Sequence, residues 1–258
     1  MTEASRPLLD VVQVYKAFGG VEAVADCSFN VVEGEICGLI GPNGAGKSTA
    51  VGLIGGALRG DRGQVWFAGQ DVTSWPAHRR ARAGLLRTFQ LSQEWPNLTV
   101  IENVLLAAPE QVGETLWSAL SARRRMRRQE QENWGRAEHL LAVFGLTALR
   151  DQLAWSLSGG QKRLLELARI AMGRAKLALL DEPMAGVSPA LRASIISQIR
   201  DMQASGISFL LVEHDLGVVG ELCSRVIVMA AGKVLTEGTL NEIRQHPEVA
   251  AAYLGVTR

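Results

Sequence analysis

Residues 36–49 read ICGLIGPNGAGKST, from Ile36 to Thr49. The apolar run Ile36 to Ile40 predicts a buried strand, and Gly41 to Thr49 fits the pattern G-x-x-x-x-G-K-[ST]. Glycines at these positions let the backbone curl until successive N–H groups face one anion. In such a loop Lys47 bridges the β- and γ-phosphates of a nucleotide, and the Ser48 hydroxyl ligates Mg²⁺. Asn43, Gly44, Gly46, Lys47, Ser48 and Thr49 are therefore the candidate nucleotide-binding residues. A chance glycine-rich turn is the alternative. It is disfavoured by the strand before the loop and by the helix expected from Lys47 to about Leu58.

Working outward, Leu8 to Val14 and Ser28 to Val32 read as short strands separated by a turn at Gly19-Gly20. Gln64 to Phe67 reads as another strand. Leu91 to Leu153 changes character to polar–apolar periodicity rich in Arg and Gln, and is expected to be helical. Two apolar strands follow, Leu177 to Leu180 and Ser208 to Val212, with a helix from about Pro189 to Ala204 between them. Arg225 to Leu235 reads as a hairpin about Ala231-Gly232, followed by a helical tail. Strand, helix, strand with apolar strands argues for an α/β fold on a parallel sheet.

Each late strand ends on chemistry, at the sheet edge where α/β proteins hold ligands. Asp181 is placed to reach the Mg²⁺ shell, partly through water, and Glu182 to act as general base for an attacking water. A solvated strand end is the plain alternative for that pair. His214 ends the next strand and can donate to a γ-phosphate, although a lone histidine is as often structural. A second anion-binding candidate lies in WSLSGGQKRL, Trp155 to Leu164. There Ser158 can cap a helix, Gly159 and Gly160 permit close approach, and the helix dipole favours negative charge. Without the phosphate loop, an ordinary capped helix start is the better reading of that stretch.

At 258 residues, 47% hydrophobic and 21% charged, the chain has the composition of a globular protein able to bury a substantial core. A net charge of +1 predicts no strong pull towards nucleic acid or anionic lipid. Cys27, Cys37 and Cys223 form no metal-ligand spacing, consistent with a reducing compartment. MTEASRPLLD lacks a signal-peptide core, and no apolar run reaches the roughly 18 residues of a membrane span. Work at a bilayer would need a spanning partner. Arg123 to Arg128 reads as a solvated helix face balanced by Glu130 and Glu132, rather than as a headgroup or nucleic-acid site.

Taken in order, the phosphate loop, Gln90, LSGGQ, LALLDE and His214 resemble the ATPase subunits of ABC transporters across nearly the whole chain. The resemblance implies two such domains paired head to tail, each ATP lying between one domain's phosphate loop and the other's LSGGQ signature. It implies that Phe18 stacks on adenine, with Tyr15 a weaker substitute. It implies that Gln90 senses Mg²⁺ and the attacking water and couples them to the membrane partner. Ser158, Gly159, Gly160 and Gln161 would touch the nucleotide held by the second ATPase subunit. Together Glu182, His214, Gln90 and Lys47 form the expected catalytic set, with Ser48, Gln90 and Asp181 serving Mg²⁺.

On that basis the expected fold is an α/β phosphate-loop ATPase core with an antiparallel β subdomain and an inserted α-helical subdomain. The division expected is 1–90, then 91–162 carrying the signature, then 163–258. The cofactors implied are ATP and Mg²⁺. The partners implied are a like or sister ATPase, transmembrane permease subunits and, for an importer, a solute-binding protein, at the cytoplasmic face of the membrane. Ser188 stands where the wider family usually has Asp, in a loop that crosses between paired domains. Leu86 to Gln90, the Ala185-Gly186-x-x-Pro189 loop and the tail Ala252 to Gly255 resemble the branched-chain amino-acid and amide importers. Lipid and lipopolysaccharide exporters carry similar ATPases. A soluble ATPase acting on ribosomes or DNA is disfavoured by the single phosphate loop and near-neutral charge. A small-molecule kinase is disfavoured by LSGGQ.

Overall fold

The computed structural model describes residues 7–88, 95–109 and 123–254. They divide into two compact units, one of 1–90, 176–184 and 200–258, the other of 91–175 and 185–199.

Among the described residues, the first unit holds two sheets. Strands β1 (Pro7–Phe18) and β2 (Val21–Val32) form a long antiparallel hairpin, and β4 (Arg62–Phe67) and β5 (Gln70–Asp71) extend it in the order β2-β1-β4-β5. Both hairpin strands run longer than their alternation suggests. The register shifts where Gln13 and Asp26 adopt positive φ, at 45° and 56°. Bulges of this kind interrupt the two-residue period that marks a strand in sequence.

The second sheet is the mixed α/β layer. It contains β3 (Ile36–Ile40), β6 (Leu85–Arg87), β7 (Leu177–Asp181), β8 (Ser208–Val212), β9 (Arg225–Ala230) and β10 (Lys233–Gly238), in the order β10-β9-β3-β8-β7-β6. Every residue of β3, β7 and β8 is buried, as expected for parallel strands covered on both faces. β10 pairs antiparallel with β9 and runs past Leu235 to Gly238. The register sets the site: Leu39 pairs with Val212, and Val212 with Asp181, so three parallel strands end at one level.

Helix α1 (Lys47–Ile54) follows the phosphate loop and is shorter than its sequence pattern implies. It stops at Gly55 and Gly56, and Arg80 closes it. Arg80, on α2 (Ala77–Arg82), is buried and donates to the Leu53 and Ile54 carbonyls at 2.6 and 2.5 Å, and to those of Trp75 and Thr73. Those two carbonyls belong to the last turn of α1, which has no partners within its own helix. A buried guanidinium satisfies them while also answering its own need for acceptors.

The second unit is helical in its described parts, with α3 (Val100–Leu105), α4 (Arg123–Val143) and α5 (Gly159–Met172). A capping box opens α3, in which Thr99 and Glu102 bond reciprocally. Asn103 is fully buried, and its amide bonds to the backbone of Trp95, Leu98 and Thr99. On α4, Arg128 pairs with Glu132 at 2.8 Å on an exposed face, as the charge pattern of that run suggests. Helix α6 (Pro189–Ala204) begins with proline at its first position, where no N–H bond is lost. Helices α7 (Leu216–Leu222), α8 (Leu240–Gln245) and α9 (Pro247–Leu254) complete the first unit. Val249 of α9 packs with Ile40, the last residue of β3.

Candidate functional site

The loop between β3 and α1 cannot be rebuilt with ordinary side chains. Gly41 and Gly46 take φ of 150° and 97°. A Cβ on Gly41 would fall 2.1 Å from the Met229 carbonyl oxygen, and one on Gly46 would fall 2.2 Å from that of Ala23. Gly44, at φ 79°, instead has nothing within 4 Å of its Cβ position. The loop is thus pressed against backbone on one side and open above Gly44. Lys47 folds its ammonium back over this loop, donating to the Gly41 and Pro42 carbonyls at 2.7 and 3.0 Å. Burial lowers its pKa, opposed by the negative fields of Glu182 and Asp181. Lys47 therefore lies within electrostatic reach of both strand-end carboxylates.

Asp181 ends β7 and is only 1% exposed. Its Oδ2 pairs with Arg87 at 3.4 Å, while Oδ1 has no hydrogen-bond partner among the described residues. Burial pushes its carboxyl pKa up, and Arg87 and Lys47 pull it down. Thr88, just past β6, donates to the Leu179 carbonyl and accepts from the Asp181 N–H.

Glu182 follows at φ 49°, a left-handed conformation that costs a non-glycine residue about 1–3 kcal/mol. Its N–H donates to the Val212 carbonyl at 2.9 Å. The turn swings its carboxylate towards His214, whose Nδ1 lies 3.9 Å from Glu182 Oε1. The imidazole is 70% exposed and open to a ligand.

Glu213 stands with His214 as a charged strand end in the sequence, which assigns it no role of its own. It is 1% exposed, accepts from the Met184 N–H at 3.0 Å and the His214 N–H at 3.2 Å, and lies 3.9 Å from His214 Nδ1. Burial pushes its carboxyl up, and the neighbouring N–H groups pull it down. The signal for it in sequence is slight: a charged residue directly after the four apolar residues Phe209 to Val212.

Phe18 ends β1 beside the Gly19-Gly20 turn and is 47% exposed, and Lys16 Nζ stands 5.4 Å from the ring centroid. Tyr15 is half-buried further back along the same strand. Gln90 and Phe89 lie outside the described residues, as does Gly255 of the tail.

The second anion-binding candidate lies in the other unit. Ser158 caps α5, accepting from the Gln161 N–H at 3.4 Å while Gln161 Oε1 accepts from the Ser158 N–H at 2.9 Å. Gly160 has a packing reason of its own, since its Cβ would meet Leu191 Cδ2 at 2.0 Å. Gly159 is nearly free, with only the Gly186 carbonyl at 3.6 Å. Ser188 is exposed, and its carbonyl accepts from Leu191 and Arg192 at the start of α6.

The model of the ABC transporter family matches residues 24–185. The chain belongs to the ABC transporter ATP-binding family.

A second model, for branched-chain amino acid ATP-binding cassette transporters, matches residues 233–257 of this cassette. Among curated relatives, the probable branched-chain amino acid transport ATP-binding protein LivG of Archaeoglobus fulgidus is 40% identical over 248 residues, covering 96% of this chain and 95% of its own. The lipopolysaccharide export system ATP-binding protein LptB of Acidithiobacillus ferridurans is 39% identical, covering 96% and 97%. Among solved structures, the ADP conformation of MJ1267, an ATP-binding cassette of an ABC transporter, superposes with a TM-score of 0.82 at 33% identity, covering 97% and 100%. The chain is an ATP-binding subunit of the ABC transporter class, built on the α/β fold with an antiparallel sheet and a helical part. No described helix of the cassette is long and apolar enough to cross a membrane.

Proposed function

We propose that this cassette hydrolyses ATP with Mg²⁺ to power uptake of a small solute, of the branched-chain amino-acid or amide type, through separate transmembrane subunits. The observation that carries the hydrolytic part is the common level of the strand ends. Register puts the phosphate loop, Asp181-Glu182 and Glu213-His214 side by side at one sheet edge. The buried Asp181 Oδ1, without a hydrogen-bond partner among the described residues, fits a water-mediated Mg²⁺ site, and Ser48 lies in the first turn of the helix beside the loop. Mg²⁺ is commonly held by one or two protein oxygens together with nucleotide phosphates and water. When bound, the ion supplies charge neutralisation at the phosphates.

In this reading Asn43, Gly44, Gly46, Lys47, Ser48 and Thr49 hold the phosphates and Phe18 stacks on the base. Glu182 takes a proton from the attacking water, and His214 donates to the γ-phosphate. Ser158, Gly159, Gly160 and Gln161 reach the nucleotide of a second ATPase subunit, and the Gln90 segment couples this site to the permease. The cassette then works at the cytoplasmic face of the membrane. The tail match at residues 233–257 and the LivG relative support the choice of solute class.

Lipopolysaccharide export is the second reading, favoured by the LptB relative of near-equal identity. A tagged pull-down from gently solubilised membranes, with mass spectrometry, separates the two. Multi-span permeases with a solute-binding protein support uptake, and an export assembly without one favours the second reading. Ribosomal or DNA-bound partners without membrane proteins would overturn both.

A further inference from the structure

We infer that Glu213 is a positioning residue that sets the spacing between Glu182 and His214. The case starts from what it costs to bury a carboxylate. An ionisable group with 1% exposure loses nearly all its water, and only good hydrogen bonds offset that loss. Glu213 spends both oxygens on backbone. Oε1 receives the N–H of Met184, two residues beyond Glu182, and Oε2 receives the N–H of His214 itself. Neither bond lies within a helix or strand. Each fixes a segment carrying one of the two facing side chains.

The result is a closed ring. Glu182 is anchored on its own N–H by Val212 and, two residues on, through Met184 by Glu213. His214 is anchored at its backbone by the same carboxylate, and Nδ1 stands 3.9 Å from both Glu182 Oε1 and Glu213 Oε2. A neutral residue with one acceptor can hold one of these N–H groups. A two-oxygen acceptor holds both, and so ties the turn after β7 to the turn after β8. Glu213 touches neither ligand nor reacting atoms in this role; it acts through its neighbours. The inference rests on the ATPase reading for its consequence in turnover, and on geometry for its effect on the two turns.

The test compares the full-length wild type with Glu213→Gln, Glu213→Ala, His214→Ala and the Glu213→Ala/His214→Ala double variant. Steady-state ATP turnover, fluorescent-nucleotide binding and amide hydrogen exchange are measured on each. Loss of a hydrogen bond to a charged group predicts that Glu213→Ala lowers kcat by about tenfold or more. KM and nucleotide affinity should stay within about twofold, because the phosphate loop is untouched. Glu213→Gln, which retains one acceptor, should recover part of the loss. The double variant should lose less than the product of the two single losses, the non-additivity expected of residues acting as a unit. Hydrogen exchange should quicken at residues 182–185 and 213–215 and not in β3 or α1.

Wild-type turnover in Glu213→Ala overturns the inference. So do additive losses in the double variant, or quickened exchange throughout the unit, which mark a residue needed only for folding. A wild type that binds nucleotide without turning it over sinks the ATPase reading instead. In that case the exchange pattern still decides whether Glu213 holds the two turns together.

Discussion

Glu182 and His214 face each other at 3.9 Å although they lie 32 positions apart in the chain and each follows a different strand. Parallel pairing of Asp181 with Val212 brings the strand ends level, and the φ of 49° at Glu182 then turns its carboxylate towards the imidazole. A left-handed glutamate persists only where its surroundings over-determine it.

Glu182→Gln keeps the size and backbone of that residue and removes its basicity. The expected outcome is nucleotide affinity close to wild type with turnover lowered by at least about 100-fold, the usual span for losing a general base. Light scattering in the presence of ATP should show the variant held as a closed pair. Hydrolysis at the wild-type rate would mean that Glu182 is not the base.

Lys47→Ala removes the ammonium that now donates to Gly41 and Pro42. A charge-assisted contact is worth about 1.5–3 kcal/mol, so nucleotide affinity should weaken by about 10- to 150-fold. Titration with a fluorescent nucleotide checks this, and undiminished affinity would remove Lys47 from the site.

Gly159 and Gly160 should respond differently to the same change. A methyl at Gly160 meets Leu191, which must rotate away, so Gly160→Ala should cost about 1 kcal/mol or more in stability as overpacking does. Gly159→Ala meets only the Gly186 carbonyl at 3.6 Å and should melt within a degree or two of wild type. If the signature contacts a second subunit's nucleotide, Gly159→Ala loses turnover despite its intact fold. Full activity in that variant would leave the Ser-Gly-Gly turn as a helix cap only.

The α3 capping box supplies a pH test. Hydrogen bonds from Thr99, through its N–H and then its hydroxyl, hold the Glu102 carboxyl below its ordinary value of 4.5. A carboxylate with a depressed folded value contributes stability that is present above the unfolded value and lost as pH falls through the folded one. Glu102→Ala should therefore lower Tm at pH 7, and the difference should shrink as pH drops below about 4. Thermal melts across that range decide it, and a penalty independent of pH would point to lost packing rather than to the charge.

Much of the site is legible in sequence because its chemistry sits on local punctuation. The phosphate loop, Asp181-Glu182 and His214 each stand at or within two residues of the end of a short apolar strand, and a parallel sheet aligns such ends by construction. The hairpin of β1 and β2 is legible only in part, since Gln13 and Asp26 break its alternation at bulges. The end of α1 is legible poorly, because Arg80, far along the chain, closes it. Glu213 is the instructive omission. No spacing distinguishes it from any other charged residue after a strand, and its partners come from a turn 29 positions away.

By itself, then, the sequence determined the elements whose cause is local: the anion-binding loop, the buried strands, the caps, and which residue types stand at each strand end. Tertiary structure decided what depends on which strand lies beside which. It brought Glu182 opposite His214, buried Glu213 between their turns, left Asp181 Oδ1 without a partner among the described residues, and set Leu191 over Gly160. The physical reason is range. Periodicity and capping act within a few residues, whereas burial and register are set by neighbours that only the folded sheet supplies.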